Sequence, residues 1–220
     1  CLQKVFDFDK RLIQVESIEN FELFNSVHIM IANNKIPVSE AIRSYNLGEY
    51  DCYSGHIPYG LHEIYPCKYI IIVRDPSTWL KSFITLSWLV NKECRLFPSE
   101  IVKDDSIAYD NQQTRYLLCD GFYIPKIKLH HFKQAIRNLR NCIFGSTDNI
   151  ALLFKKLEVE FNRTFDFKIE NPTIYNNEIT SSKVYYDSEI EPLIKDKTME
   201  LLLEKNKWDC LLYQYVKKYE

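Results

Sequence analysis

Arg74 stands where an apolar run, Tyr69-Ile70-Ile71-Ile72-Val73, stops and Asp75-Pro76 begins. Consecutive β-branched and aromatic residues read as a buried strand, covered on both faces. An aspartate before a proline reads as an N-cap followed by the first helical position. Arg74 is therefore expected at the carboxyl end of a buried strand, beside the amino end of a helix. Open α/β sheets hold anionic ligands at such junctions. Ser82 follows eight residues after Arg74, on roughly the helix face that Asp75 occupies. A guanidinium and a hydroxyl so arranged can hold one phosphate between them, the arginine as a bidentate donor. The plainer reading is a surface ion pair at Arg74 and a simple cap at Asp75.

His56 precedes that strand, in the turn Gly55-His56-Ile57-Pro58-Tyr59-Gly60-Leu61-His62. An imidazole titrates near working pH and suits a general base. A histidine satisfied inside the core fits the same turn. His62, six residues on, is wrongly spaced for a helical metal pair with His56. It reads as structural or as a lining of the same cleft. Asn111-Gln112-Gln113-Thr114-Arg115 is a dense polar cluster on a helix whose next residues are apolar. Asn111 and Arg115 share a face at i, i+4 spacing. With Gln113 and Thr114 they form either a solvated face or the wall of a polar pocket.

The elements that must position these groups follow from periodicity and caps. Leu12, Val15, Phe21 and Phe24 suggest an amphipathic helix from Asp9 to about Asn25. A second helix is expected from Pro37 to Tyr45, closed by Gly48, with a short strand over Tyr50 to Ser54. Pro76 opens a helix reaching about Asn91, and residues 92–110 read as an irregular excursion. Asn111 to Cys119 reads as helical, and Leu129, Phe132, Ile136 and Leu139 define the next helix. Cys142-Ile143-Phe144-Gly145 is a strand candidate, followed by caps at Ser146-Thr147-Asp148 and a helix carrying Ile150, Leu153, Phe154, Leu157 and Phe161. Residues 162–186 read as a long surface connection, of the kind that often carries function. Ser188-x-x-Glu191 with Pro192 opens one final helix lined by Leu201, Trp208, Leu212, Tyr215 and Tyr219. The pattern is that of one α/β domain over residues 1–220.

Composition narrows the function classes. A net charge of -2 argues against non-specific nucleic-acid binding, which needs a basic excess. No apolar run approaches the roughly 18–20 residues of a spanning helix. Seven scattered cysteines with no C-x-x-C pair argue against a metal site, and their odd number leans toward a reducing compartment. The chain begins at Cys1 without a methionine, which reads as a fragment or a processed product. A lipid-modified Cys1 has no signal segment here to support it.

Taken in order, Gly-His-x-Pro-x-Gly-x-His, a buried strand into Arg-Asp-Pro-x5-Ser, and Asn-x-Gln-Thr-Arg resemble the carbohydrate sulfotransferase family 2. The heparan and dermatan sulfate 2-O- and 6-O-sulfotransferases and many bacterial relatives belong to it. Ile143-Phe144-Gly145-Ser146-Thr147 is similar to its Val-Gly-Leu-Thr-Glu, and Asn206-Lys207-Trp208-Asp209-Cys210-x-x-Tyr213 to its Asn-x-x-Asp-x-x-x-Tyr. The resemblance covers residues 54–220 well and residues 1–53 loosely.

What the resemblance implies is a P-loop-like three-layer sulfotransferase fold, with a small parallel sheet and many helices. The implied reaction transfers a sulfuryl group from 3′-phosphoadenosine 5′-phosphosulfate (PAPS) to a carbohydrate hydroxyl, without a metal. Arg74 and Ser82 match the pair that holds the 3′-phosphate, and His56 the base for the acceptor. Ser146, Thr147 and the loop near Lys183 fall where the family approaches the nucleotide. A glycan acceptor is the implied partner. Cytoplasm is the implied location for a bacterial relative, and the Golgi lumen, with an anchor outside this chain, for an animal-type one.

Two departures accompany the resemblance. The family opens with a loop similar to Pro-Lys-Thr-Gly-Gly-Thr-Thr that holds the 5′-phosphosulfate, whereas residues 1–25 contain no glycine. Truncation upstream of Cys1, removing the first strand, is the expectation. A degenerate, non-catalytic nucleotide- or glycan-binding relative, or a replaced loop, is the alternative. Trp79 and Lys81 also stand where the family has Glu and Arg.

Overall fold

The computed structural model describes residues 12–14, 52–54, 59–60, 62, 67–90, 97–105, 107–162, 164, 174–175, 178–179, 191, 194 and 196–220. The described residues are mostly helical, with short strands in pairs and a small parallel sheet, an architecture of the general α/β class. None of their helices is long and apolar enough to cross a membrane.

Strand β1 (Leu12–Gln14) runs parallel to β2 (Cys52–Ser54), in register from Leu12 opposite Cys52 to Gln14 opposite Ser54. The helix expected over Asp9 to Asn25 therefore gives way to a strand at these three residues. Helical periodicity is a local signal, and a partner strand distant in sequence overrides it. The rest of that expected helix, and the one over Pro37 to Tyr45, lie outside the described residues. Strands β3 (Ile70–Val73) and β4 (Ile143–Ser146) are hydrogen-bonded neighbours, and the Ile143 N–H reaches the Tyr69 carbonyl at 2.9 Å. Val73 is buried, but Ile72 is 46% exposed, so β3 is not covered on both faces as its apolar run suggests. Strands β5 (Ile174–Tyr175) and β6 (Glu178–Ile179) form an antiparallel pair within the stretch read as a surface connection.

Helix α1 (Pro76–Val90) starts as its sequence dictates. Proline occupies the first position, and the Asp75 carboxylate accepts the Thr78 N–H at 3.0 Å. Helix α2 (Pro98–Lys103) occupies a region read as irregular. Pro98 again fits the first position, and the Glu100 carboxylate reaches back to accept the Phe97 N–H at 2.7 Å. Helix α3 (Gln112–Tyr116) is shorter than the helix expected over Asn111 to Cys119, because Asn111 adopts a positive φ of 50° and residues 117–119 turn. Helices α4 (Leu129–Leu139) and α5 (Ile150–Phe161) follow the expected pattern. The single final helix is in fact two, α6 (Asp196–Lys205) and α7 (Lys207–Tyr219), broken at Asn206.

By proximity the chain divides into two compact units, each drawn from separated segments. The first holds residues 1–71, 113–144 and 151–168; its buried side chains include Leu117, Leu118, Ile127, Ala135, Leu139, Leu153 and Leu157. The second holds residues 72–112, 145–150 and 169–220. Its core is Leu80, Ile84, Trp88, Ile101, Tyr109 and Leu202, with Trp79 and Phe83 stacked at 5.0 Å against it.

Candidate functional site

The second unit contains the strand ends to which anion chemistry was assigned. Arg74 follows β3 and is partly buried. Burial pulls its guanidinium below the ordinary arginine value, and the neighbouring Asp75 charge partly restores it. Partial burial pushes the Asp75 carboxyl upward, but hydrogen bonds from Ser77 and Thr78 outweigh this and hold it below the ordinary aspartate value. Asp75 is thus an ionised cap that occupies the amino end of α1. Ser82 lies two turns into α1, partly buried. A rise of 1.5 Å per residue puts it about 10 Å along the axis from the cap. A phosphate shared with Arg74 therefore needs the arginine side chain to extend along the helix.

Ser146 ends β4 and is completely buried. Its N–H donates to the Glu220 carboxylate at 2.9 Å. The other Glu220 oxygen pairs with Lys217 at 2.7 Å, and the glutamate side chain is only 6% exposed. Burial pushes the Glu220 carboxyl upward, but donors from Lys217 and Ser146 outweigh this, so it stays ionised below its ordinary value. The Ser146 hydroxyl lies against the same carboxylate, yet has no partner in hydrogen-bonding geometry. One residue past Thr147, Asp148 accepts the Tyr213 hydroxyl. That bond, burial and the nearby Asp148, Asp75 and Glu220 charges all raise the Tyr213 phenol. Tyr213 thus lies within electrostatic range of both Asp75, which follows β3, and Asp148, which follows β4. Thr147 itself is exposed.

The polar cluster 111–115 is neither a solvated face nor an open pocket wall. Asn111 is 2% exposed and adopts a positive φ of 50°. Its side-chain oxygen accepts the N–H groups of Trp208 at 2.8 Å and Asp209 at 3.1 Å, capping α7 from outside. Its amide nitrogen donates to Asp110 at 2.8 Å and to the Lys205 carbonyl at 3.0 Å. Asn206 answers by accepting the Asn111 N–H at 2.8 Å and donating to the carbonyls of Tyr109 at 3.0 Å and Leu202 at 2.9 Å. Both asparagines are therefore internal joints.

In the first unit, Arg115 is fully buried, and its guanidinium donates to the carbonyls of Gly121 at 2.6 Å and Ile124 at 2.5 Å. Thr114 is likewise fully buried, and Gln113 is partly exposed. His62 is exposed, its ring 4.6 Å from that of Tyr59 and 5.9 Å from that of Tyr69. His56 and Lys183 lie outside the described residues.

No family model, curated protein or solved structure matches this chain. Among the residues assigned chemistry, the second unit therefore holds Arg74, Ser82, Ser146, Thr147 and Asn111, while His62, Gln113, Thr114 and Arg115 belong to the first. Sequence reading missed Lys217 and Glu220. Their i, i+3 spacing signals a pair at the carboxyl end of α7, but nothing local ties Glu220 to a serine 74 residues away.

Proposed function

We propose that this chain is a PAPS-dependent sulfotransferase of the carbohydrate sulfotransferase family 2 type, folded as a single P-loop-like three-layer domain and acting on a carbohydrate hydroxyl. The observation that carries the reading is Arg74, a partly buried cation at a strand-to-helix junction, with Ser82 farther along the same helix. Burial strengthens a cation's hold on a phosphate, because competing water is removed. In this reading Arg74 and Ser82 hold the 3′-phosphate, and Ser146, Thr147 and Lys183 approach the nucleotide. His56 takes the proton of the acceptor hydroxyl as its oxygen bonds to sulfur. The bond between sulfur and the phosphate oxygen breaks in line, and 3′,5′-adenosine bisphosphate leaves with that electron pair. His62 and Gln113 remain candidates to touch the acceptor, while Asn111, Thr114 and Arg115 are buried and serve the fold. The location follows the relative: cytoplasm for a bacterial protein, Golgi lumen for an animal-type one.

Calorimetry with 3′,5′-adenosine bisphosphate tests the assignment. Binding that is lost on Arg74→Ala is expected; no binding, or binding indifferent to Arg74, would remove the reading. Residues 1–25 hold no glycine loop for the 5′-phosphosulfate, so little transfer of radiolabelled sulfate is expected from these 220 residues. Clear turnover would overturn that half.

A second reading, a non-catalytic nucleotide- or glycan-binding relative, is favoured by one observation. The amino end of α1 carries the Asp75 carboxylate, and the Ser146 N–H carries the Glu220 carboxylate, so internal anions already use two donor groups that a donor nucleotide would seek. Bisphosphate binding together with an activity indifferent to His56→Ala would select this reading.

A further inference from the structure

The Glu220 carboxylate sits where the carboxyl end of β4 meets the turn leading into α5. Ser146 heads the turn Thr147–Asn149, so its N–H belongs to the donors that a helix start leaves without intrahelical partners. A serine at such a position ordinarily caps the helix with its own hydroxyl. This one does not. Its N–H goes to Glu220 at 2.9 Å, and its buried hydroxyl lies close enough to the same carboxylate to help keep it ionised, but not in good hydrogen-bonding geometry. Leaving a buried hydroxyl unsatisfied is costly. The planar carboxylate has two oxygens, one on the Ser146 N–H and one on Lys217, and neither meets the hydroxyl in good geometry. A tetrahedral oxyanion offers three or four oxygens and can meet the amide, the hydroxyl and the ammonium together.

We propose that Ser146 and Lys217 form a binding site for a phosphate or sulfate group, and that Glu220 is its built-in occupant, which must swing out before the ligand enters. The proposal rests on the nucleotide reading of Ser146 and adds a self-competition that regulates it. The charge balance allows the exchange, because Lys217 passes from one anion to another. Asp148, the nearest further carboxylate along the chain, stays engaged by the Tyr213 hydroxyl. Because binding requires the Glu220-released state, the wild-type affinity is lowered by the fraction of molecules in that state.

The test follows the Ser146 amide by 15N NMR in the full chain. Wild type, Glu220→Gln, Glu220→Ala and Ser146→Ala are each titrated with inorganic sulfate, inorganic phosphate and 3′,5′-adenosine bisphosphate. Replacing a charge-assisted bond by a neutral one should tighten sulfate binding about fivefold in Glu220→Gln. Glu220→Ala should gain at least as much, and Ser146→Ala, read at the neighbouring Thr147 amide, should lose affinity. A Ser146 amide that responds equally in wild type and both Glu220 variants, or in none, overturns the proposal. Sulfate behaving as expected while the bisphosphate binds nowhere would keep this site and remove the nucleotide reading. Bisphosphate binding that depends on Arg74 but is indifferent to Glu220, with no sulfate response, would do the reverse.

Discussion

The Arg115 guanidinium donates to the Gly121 carbonyl at 2.6 Å, while a β-carbon placed on Gly121 would lie 2.1 Å from the Arg115 carbonyl oxygen. The arginine backbone closes on the very residue that its side chain holds. Only glycine permits that approach, and the obstructing atom is backbone, which cannot rotate away. Gly121→Ala is expected to lower the unfolding free energy by about 2 kcal/mol in urea denaturation followed by circular dichroism. An unchanged midpoint would mean that the turn yields without cost.

Arg115→Lys separates support from recognition. A lysine keeps the charge but loses the fork, leaving carbonyls of Gly121 and Ile124 short of donors. Stability should fall by about 2 kcal/mol, with nucleotide affinity measured by calorimetry unaltered. The opposite pattern, intact stability with lost affinity, would return Arg115 to the pocket.

Asn111→Ala removes the side chain that caps α7 and anchors the Lys205 carbonyl, and it places alanine at a φ of 50°. A loss of about 3 kcal/mol is expected. Asn206→Ala should cost a similar amount, and the double variant clearly less than the sum, because the two side chains share one network. Additive losses in the double-mutant cycle would show that they act separately.

What the sequence made legible was local. Pro76 after Asp75, and the helical spacing of Leu129, Phe132, Ile136 and Leu139, located α1 and α4 because caps and periodicity act within a few residues. What it hid depends on partners far along the chain. The strand at Leu12–Gln14 exists through pairing with Cys52–Ser54, and the break at Asn206 through Asn111. The site shows the same division. Arg74 could be placed from its neighbours alone, whereas the burial of Arg115 and the reach of Glu220 to Ser146 have no signature in spacing.

The Glu220 carboxyl is held below its ordinary value of 4.5, so its contribution to stability is present above that pH and is lost as pH falls through the lower folded value. Acid unfolding of Glu220→Gln, monitored by tryptophan fluorescence, should therefore converge with that of wild type at low pH and diverge from it near neutrality. A constant difference across the whole range would exclude an ionised Glu220 as the cause.

Burial, with a small contribution from Cys67, pushes the Cys142 thiol from its ordinary 9.0 to about 12. At pH 8 about one Cys142 in ten thousand is thiolate, so native protein should resist iodoacetamide there while urea-unfolded chain reacts. The folded state keeps this proton longer than the unfolded state, so stability should decline as pH rises from 9.0 toward about 12. Rapid native labelling, read by peptide mass spectrometry, would contradict the burial.

The break between α6 and α7 is written 95 residues away from where it occurs, at Asn111. A peptide covering only residues 196–219 lacks the amide and the capping oxygen that make a bend at Asn206 worthwhile. Local propensity favours the bend only weakly: asparagine is a good N-cap, but it costs a helix interior only about 0.7 kcal/mol at most. The contacts that hold the bend form only when the segment around Asn111 closes a long loop onto Asn206. Until then the end of the chain is free to be straight.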